Sequence, residues 1–582
     1  VSSLNFIAGN NTVQINYTKP LANSLAWLDF ITINAFRNLS FSGSPFVLFN
    51  PENIGVNNVN EYIVNTTQNL SVWHVTDALN PVKLSVQNNG NSQSFVYPNE
   101  KLEFFAVHNG TTYNSVLPVG AVPNQNLLGL VDVDYIIICP KSFNNDANRL
   151  ANFHQTQNNL SVSVVNLPEI YNEFSSGKQD VTAIRNFMKY LYENASSTNT
   201  RLKYLLLLGD ASYDYKNVLT SNTNIVPIYQ SEESLSPLAT FASDDYYGIF
   251  KPGTSVYTES GDVEIGIGRF PAKNVTEAKV FVDKTIAYQQ KNQFRKEGEM
   301  NIPIQFGNWK NEIMFVSDDG SGIDNFTNEH FLQTEFLMDN IIALDSNYNA
   351  RKIHMDFYPK IPGAGGGKYP DVNRDINTYI DQGTSVVSYI GHGGGLGWAD
   401  ERVLEFRDIQ NWSNINSLPL FVTATCEFSR FDNPYRPTAG EYVYLNGKGG
   451  AISLISTTRQ IGVTTGLNFN NQLMSKLFAY QASEYPTVAE ALRKTKNASV
   501  SSGVNIISYI GDPALKLAIP KPKIVLTHIN DVSVGMPTDT LKALSLIKLK
   551  GLVADSSDNL ITDYNGIVVV NVFDKNVQTK TL

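Results

Sequence analysis

The sequence predicts a doubly wound α/β domain flanked by two all-β regions. At 582 residues, the chain is too long to fold around one hydrophobic core. From residue 129 to residue 518, short apolar segments alternate with amphipathic helical segments, which is the order of elements in a doubly wound sheet. The flanking regions, residues 1–128 and 519–582, instead contain strand-like segments of alternating polarity.

The N-terminal region, residues 1–128, is predicted to be a β-sandwich-like accessory domain. Segments such as Thr12–Tyr17 and Leu102–Val107 alternate in polarity and are separated by Asn, Gly and Pro turns. Residues 519–582 are predicted to be a partial immunoglobulin-like β domain. Because strand-like segments stand at both ends of the sequence, we expect it to be a piece of a longer precursor.

The central region, residues 129–518, is expected to be one α/β domain with one or two subdomains. Its strands are apolar and rich in β-branched residues, as buried parallel strands are. The helix predicted at Thr182–Glu193 places Ile184, Phe187 and Leu191 on one face. In chain order, the predicted strands are 135–140, 160–165, 204–210, 263–270, 312–316, 353–357, 385–390, 418–425 and 451–455, and the predicted helices are 145–154, 182–193, 276–289, 329–341 and 372–379.

Two of these strands each lead to a reactive side chain. The segment Ser385–Ile390 is followed by His392, and the segment that begins at Leu418 is followed by Cys426. In an open α/β sheet, ligands bind where loops leave the carboxyl ends of the strands. We therefore expect His392 and Cys426 to lie side by side at that edge, as a base and its cysteine nucleophile.

The two cysteines of the chain lie in different settings. Cys139 ends an apolar run and is typical of a small buried hydrophobic residue. Cys426 is followed by the polar segment Glu427–Asp432, which indicates a strand end that opens into a loop. A thiolate beside an imidazole is a strong nucleophile near neutral pH. Zinc would need further Cys or His ligands at short spacing, and the sequence offers none there.

Glycines surround the histidine, in the run Gly391–Gly397. They allow the backbone to pass close to a substrate and leave N–H groups free to point inward, so the amide of Gly393 is a candidate oxyanion donor. A phosphate-binding loop is disfavoured, because no Lys-Ser/Thr pair follows and the next residues include Asp400 and Glu401.

Composition excludes some classes of function. The net charge is −10 at pH 7 and Lys and Arg form no cluster, which argues against a nucleic-acid partner. No segment approaches the length of a transmembrane helix.

Several motifs resemble those of gingipain-type cysteine peptidases, whose fold is caspase-like. The most specific are Tyr389–Gly393 and Thr423–Cys426, around the two reactive residues. In the leading β region, Leu28–Ile33 and Val72–Asp77 are similar to segments of the sortase of the bacterial type IX secretion system. Further matching segments are Leu206–Asp210, Ser243–Gly248, Ile267–Phe270, Trp398–Asp400 and Gly511–Pro513.

This resemblance implies a cysteine transpeptidase at the cell surface, associated with the outer membrane after export through the periplasm. Such an enzyme removes the C-terminal signal domain of secreted cargo and joins the new carboxyl end to anionic lipopolysaccharide. The implied partners are the cargo proteins, an outer-membrane component of the secretion system (PorV-like) and the lipopolysaccharide acceptor.

The resemblance also implies roles for individual residues. By residue matching, Cys426 is the nucleophile and His392 the base, with the amides of Gly393 and Cys426 as the oxyanion hole. An acidic residue orients the histidine in this family, and Asp244 or Asp245 is the candidate. Substrate contacts are expected in the loops that follow the reactive residues, from Trp398, Asp400 and Glu427.

Three alternatives stay open at this point. No cofactor is required, but Asp318–Asp324 has some features of a calcium loop, although it lacks the bidentate Glu of an EF-hand. The same dyad would also serve a secreted endopeptidase that only hydrolyses its substrates. A non-enzymatic scaffold of this fold is disfavoured, since a scaffold needs neither Cys426 nor His392.

Overall fold

A computed structural model of the chain describes residues 12–570, apart from several short segments. The chain divides into two compact units, Val1–Pro123 and Asn124–Leu582, which are taken separately below. Within the described ranges, no helix has both the length and the apolar character needed to cross a bilayer. The residues outside the description are 1–11, 22–23, 25–27, 29, 111–116, 119, 233–235, 237–238, 255, 257–261, 291–293, 298–299, 304–306, 321–328, 345–347, 364–365, 481–483, 500–501, 521–522, 538–540, 543, 556–558, 565–567, 569 and 571–582.

The first unit is built from short antiparallel strands. They are β1 (Phe46–Phe49), β2 (Val59–Asn65), β3 (Ser71–His74), β4 (Val82–Leu84), β5 (Gln87–Asn88), β6 (Ser92–Pro98) and β7 (Phe104–His108). One sheet has the order β1-β7-β3-β4 and the other the order β2-β6-β5. Val64, Val72 and Phe105 are fully buried between them. The strand predicted at Thr12–Tyr17 is wrong: these residues are exposed and pair with no strand in the described part of the chain.

A ten-stranded sheet forms the centre of the second unit, with the order β17-β16-β20-β24-β25-β26-β13-β10-β8-β9. Its neighbouring strands pair in parallel, except for the antiparallel pair β25 and β26. Its strands are β8 (Tyr135–Cys139), β9 (Val162–Asn166), β10 (Tyr204–Leu208), β13 (Gly266–Phe270), β16 (Glu312–Ser317), β17 (Asn349–His354), β20 (Val386–Ile390), β24 (Leu420–Ala424), β25 (Ser453–Thr457) and β26 (Ile507–Ile510).

Smaller strands surround this sheet. Those between its members are β11 (Tyr229–Gln230), β12 (Ala242–Ser243), β14 (Phe294–Glu297), β15 (Met300–Pro303), β18 (Ile361–Gly363), β19 (Gly366–Lys368), β21 (Gly393–Gly394), β22 (Gly397–Trp398) and β23 (Leu404–Glu405). After the sheet, β27 (Lys523–Ile529) pairs antiparallel with β28 (Val532–Ser533) and β29 (Leu549–Ala554) in a three-stranded sheet.

Helices cover both faces of the ten-stranded sheet. Ile136 and Ile138 of β8 belong to one buried layer, whereas Tyr135 and Ile137 belong to the other. Burial on both faces explains why the strands are apolar throughout rather than alternating in polarity. The helices are α1 (Asn144–Gln157), α2 (Leu167–Phe174), α3 (Val181–Glu193), α4 (Val275–Gln289), α5 (Glu329–Leu344), α6 (Pro370–Gln382), α7 (Phe406–Asn411), α8 (Ala439–Leu445), α9 (Val463–Leu477) and α10 (Val488–Ala498).

The structure confirms the longer elements predicted for this region and corrects several of their boundaries. Residues Asn349–His354 form the strand expected at 353–357, and Met355–Phe357 form a 3-10 turn instead. The helices α2 and α7 to α10 and the strand β26 were not predicted from the sequence. Most of these elements are short or lie beside Gly and polar residues, so that their helical or strand periodicity is weak.

Candidate active site

His392 and Cys426 follow neighbouring parallel strands at equivalent positions. In the register of β20 and β24, Ile390 is paired with Ala424. His392 and Cys426 each lie two residues beyond their member of this pair. Since neighbouring strands are about 4.8 Å apart, the two residues leave the sheet next to each other. The side chain of His392 is exposed and that of Cys426 is half-buried.

The backbone of the histidine loop is held from two sides. The N–H of His392 donates to Oδ2 of Asp318 at 2.7 Å, and the hydroxyl of Tyr389 donates to the carbonyl of His392 at 2.5 Å. At Gly391, a Cβ atom would lie 2.4 Å from Cβ of Asp318. Glycine is therefore required for the loop to approach Asp318 this closely.

Trp398 supports this loop from within the core. Its ring is fully buried and stacks on Tyr389 at 4.3 Å between centroids, with the planes inclined by 4°. Tyr389 in turn holds the carbonyl of His392. The prediction that Trp398 contacts substrate is therefore wrong, because none of its surface is accessible and its packing position instead fixes the Tyr389 hydroxyl.

The chain around Cys426 is anchored to the next strand. The hydroxyl of Thr457 donates to the carbonyl of Thr425. Glu427 has φ of 54° and its N–H donates to the carbonyl of Arg459 at 3.2 Å. A left-handed residue directly after the cysteine turns the chain sharply, as strand ends at reactive sites commonly require. Sγ of Cys426 itself points to the carbonyl of Ile461, at 3.9 Å.

Two backbone amides are available as oxyanion donors. In the described part of the chain, the N–H of Cys426 donates to no protein acceptor. Gly393 is paired with Trp398 in the antiparallel ladder of β21 and β22. In the neighbouring pair, the N–H of Ala399 donates to the carbonyl of His392, so His392 and Ala399 form a hydrogen-bonded pair. Because such positions alternate in an antiparallel pair, the N–H of Gly393 points away from β22. A Cβ on Gly393 would lie 2.5 Å from Oγ1 of Thr425, so the two loops touch.

The structure contradicts the prediction that Asp244 or Asp245 orients the histidine. Asp244 forms a two-pronged ion pair with Arg269, at 2.6 and 2.8 Å. Asp245 binds Nζ of Lys496 through both oxygens at 2.7 Å. Arg269 and Lys496 are buried, and each needs an anion nearby to offset its lost hydration. Among the described residues, neither carboxylate contacts His392.

Asp318 lies where the missing acid was expected. It follows β16, whose Ser317 is paired with Ile390 of β20, and it is 2 % exposed. Its carboxylate lies within 4.8 Å of a ring nitrogen of His392. Burial raises the pKa of Asp318 to about 7, although the hydrogen bond from the His392 amide acts in the opposite direction. A sequence signal was present but not used: two acids, Asp318 and Asp319, lie just beyond the predicted strand 312–316 of the same sheet.

The adjacent acids bind an internal cation. Nζ of Lys360 lies 2.9 Å from Asp319 and 2.7 Å from Glu401, and the hydroxyl of Tyr369 donates to Asp319 at 2.8 Å. One ammonium group thus bridges the two carboxylates and offsets one of their two negative charges. The rest of the segment with calcium-loop features, residues 321–324, lies outside the described residues.

The other two predicted substrate contacts lie on accessible loops. Asp400 is exposed. Glu427 is half-buried, and its Oε1 lies 3.1 Å from Nη1 of Arg430. Their contact with substrate remains a prediction.

Taken together, the site contains the parts of a nucleophilic acyl-transfer centre. Cys426 supplies a thiol, His392 supplies an accessible imidazole, and Asp318 supplies a carboxylate beside that imidazole. The amides of Gly393 and Cys426 are the candidate donors to an oxyanion. This is the set of nucleophile, base, orienting group and oxyanion donors that thiol-dependent acyl transfer needs.

Comparison with known proteins identifies a peptidase family. The model of the family described as "Peptidase family C25" matches residues 130–518. Gingipain R2 of Porphyromonas gingivalis is 22 % identical over 291 residues, which cover 50 % of this chain and 32 % of that protein. Gingipain R1 of the same organism is 22 % identical over 244 residues, which cover 42 % of this chain and 19 % of that protein. The alignments therefore span about a third or less of these relatives.

Similar solved structures show the fold. Dimeric latent PorU from Porphyromonas gingivalis has a TM-score of 0.52 and 22 % identity, over 90 % of this chain and 44 % of that one. The Arg-specific cysteine proteinase gingipain R (RgpB) has a TM-score of 0.48 and 18 % identity, over 68 % of this chain and 81 % of that one. The likeness to PorU confirms the predicted gingipain-type, caspase-like α/β fold.

The two thiols are expected to differ sharply in reactivity. Iodoacetamide near neutral pH should alkylate Cys426 in the folded protein and leave Cys139 unmodified. Cys139 is fully buried, and burial raises the pKa of its thiol to about 12, so only about 10⁻⁵ of it is ionised near pH 7. Mass spectrometry of tryptic peptides measures both positions. As a control, protein unfolded in guanidinium should react at both, and labelling of Cys139 in the folded state would contradict the prediction.

Asp318→Asn is expected to change how stability depends on pH. The pKa of Asp318 is raised in the folded state to about 7, so the folded protein holds this proton more tightly than the unfolded chain does. Its contribution to stability is complete below the unfolded pKa and is lost as pH rises towards 7. Between about pH 4 and 7, the free energy of unfolding of Asp318→Asn relative to the wild type should therefore rise by up to about 1.4 kcal/mol per pH unit.

Urea unfolding at a series of pH values measures this difference. Asn retains an oxygen that can accept the bond from the His392 amide, so the substitution removes the titration and keeps the shape. Asp400→Asn is the matched control, because Asp400 is exposed on the same loop system. Parallel pH curves for the wild type and Asp318→Asn would refute the assignment of a raised pKa.

Proposed function

This chain belongs to peptidase family C25, and we propose that it is a cysteine peptidase of the sortase type, which transfers the cleaved acyl group to an amine. The proposed substrates are secreted proteins that carry a C-terminal signal domain. The enzyme removes this domain and joins the new carboxyl end to an amine of anionic lipopolysaccharide. It acts at the cell surface with an outer-membrane component of the secretion system.

One observation carries the peptidase part of this proposal. His392 and Cys426 stand two residues beyond a register pair of neighbouring strands, so that a substrate carbonyl between the two loops meets both. The similarity to PorU over 90 % of the chain supports the sortase part. The gingipain relatives support the alternative, an endopeptidase that only hydrolyses.

The chemistry follows from the positions of these groups. His392 accepts the thiol proton as Sγ of Cys426 bonds to the substrate carbonyl carbon, and the amides of Gly393 and Cys426 stabilise the resulting oxyanion. The imidazolium then gives its proton to the departing amine, and the C–N bond breaks. This leaves a thioester on Cys426 and a neutral imidazole. An ionised Asp318 stabilises the imidazolium in between.

The fate of the thioester decides between the two functions. His392 can deprotonate either water or an incoming amine, and water is present at about 55 M, so aminolysis needs an amine that is bound and oriented. The loops that flank the dyad offer such a surface: Leu396 is 48 % exposed and Tyr435 is 68 % exposed.

Analysis of the cargo product tests the proposal. Purified active enzyme, given a cargo with its C-terminal signal domain and an excess of an acceptor amine, should yield cargo that carries the amine at its new C-terminus. Cys426→Ala should lower turnover by at least about 10³-fold, because removing a nucleophile leaves only binding and oxyanion stabilisation. Cys139→Ala should retain normal turnover. Intact-mass spectrometry distinguishes a free carboxylate from an amide.

Two loop substitutions separate transfer from hydrolysis. Leu396→Ser and Tyr435→Ser should lower the ratio of aminolysed to hydrolysed product by at least about tenfold and leave total cargo cleavage near normal, since only a bound amine outcompetes water. Leu128→Ser is the control, because Leu128 is similarly exposed but precedes the first strand of the sheet. A purely hydrolytic product from the wild type at saturating amine would establish the endopeptidase instead.

A further inference from the structure

Three side chains of metal-ligand type converge at the catalytic base. Asp318 follows β16, His330 lies in the first turn of α5, and His392 follows β20. One ligand atom from each lies within 4.8 Å of the others. We propose that Asp318, His330 and His392 form a site for zinc or a similar divalent ion, and that its occupation switches the peptidase off. The inhibitory role rests on the proposed function, whereas the site itself does not.

Two contacts bring these groups together before any metal arrives. Oδ2 of Asp318 accepts the N–H of His392 at 2.7 Å, which fixes the carboxylate beside the histidine. The rings of His330 and His392 stand edge to face, with 5.6 Å between centroids and 86° between planes. Hydrogen bonds that orient the ligands are typical of metal sites in proteins, because they reduce the rearrangement needed for binding.

His330 carries an independent indication of a ligand. Its Nδ1 is buried and has no hydrogen-bond partner among the described residues. A buried polar atom without a partner destabilises the fold. A metal ion bound to this ring would offset that effect, either by taking Nδ1 itself or by taking the other nitrogen and reorienting the ring.

The donor set selects the class of metal. Two imidazoles and one carboxylate suit zinc and neighbouring transition metals, whereas calcium and magnesium require mainly oxygen ligands. Ligand atoms of a tetrahedral zinc ion are roughly 3.3 Å apart. The groups must therefore close by at most about 1.5 Å from their present separation of up to 4.8 Å. Rotation of the exposed His392 ring provides that movement.

An all-oxygen cluster beside this site is not a competitor. Asp318, Asp319 and Glu401 also present oxygens within 4.8 Å of one another. Nζ of Lys360 already lies 2.9 Å from Asp319 and 2.7 Å from Glu401. The ammonium group already bridges two of these three carboxylates, so a hard cation would have to displace it, whereas Asp318 also lies within 4.8 Å of the two imidazoles.

Occupation of the site would block catalysis directly. A metal bound to His392 uses the ring lone pair that otherwise accepts the proton of the Cys426 thiol. It also consumes the negative charge of Asp318, which otherwise stabilises the imidazolium. Three protein ligands leave one tetrahedral position open to water, and a chelator that enters there should remove the ion and restore activity.

Calorimetric titration tests the site without relying on activity. Zinc chloride is titrated into the full-length chain carrying Cys426→Ala, which removes the thiol as a ligand. We expect one zinc ion per chain. His330→Asn, Asp318→Asn and His392→Asn should each weaken binding by at least about tenfold, since even the loss of an outer partner costs 10- to 100-fold. His528→Asn is the control, because His528 lies in the separate three-stranded sheet.

Three outcomes would overturn the proposal. The first is the absence of binding to the Cys426→Ala chain when the wild type binds, which would place the metal on the thiol. The second is unchanged affinity in His330→Asn. The third is a loss of binding in His528→Asn equal to that in His330→Asn. Circular dichroism and thermal unfolding of each variant exclude a loss of binding through misfolding.

An activity measurement then tests the switch. Zinc should inhibit cargo cleavage by the wild type, and excess chelator should restore it. His330→Asn should retain basal cleavage and need at least about tenfold more zinc for half inhibition. If cleavage never occurs even with chelator, the proposed function fails while the calorimetric result stands. If His330→Asn is inhibited like the wild type, the switch fails while the peptidase stands.

Discussion

The register between β20 and β24 is the constraint on which the whole site depends. Ile390 stands opposite Ala424, and both reactive residues follow at the same distance. A shift by one residue would move every side chain of a strand to the other face. That shift is costly because β20 is buried on both faces: Val386 packs in one layer and Val387 in the other. The distance between base and nucleophile is thus determined by core packing rather than by contacts between the two groups.

Glycines and buried polar groups then fix the backbone of the histidine loop against Asp318 and against the residue before Cys426. Gly391 and Gly393 lack the Cβ atoms that would collide with Asp318 and Thr425, so the histidine loop lies directly against the acid and against the residue before the cysteine. Its backbone is fixed at both the N–H and the carbonyl of His392. The imidazole remains exposed. A rigid backbone with a free ring allows the base to serve first the thiol and then an incoming nucleophile.

The features that could be predicted from the sequence were those whose signal lies within one short segment of the chain. The strands and the reactive dyad were predictable, because an apolar run that ends in a reactive residue is visible within ten residues. The acid was assigned wrongly, since motif matching placed it at Asp244 or Asp245, and only the fold reveals that Arg269 and Lys496 pair with those carboxylates. Trp398 was misassigned for the same reason, because burial depends on packing against Tyr389. His330 gave no signal, since it reaches the site from a helix far from His392 in sequence.

A histidine base that lies beside a buried carboxylate is also suited to bind a cation. The negative charge of Asp318 favours an imidazolium during acyl transfer, and the same charge favours a metal ion on the same ring. Which of them prevails depends on the other donors within reach. Lys360 pairs with both Asp319 and Glu401 and so reduces the local negative charge by one. His330, however, adds a second imidazole with an unpaired nitrogen. The site is thus unfavourable for hard cations and favourable for softer ones. Both properties follow from the charged groups and imidazoles that surround the catalytic base.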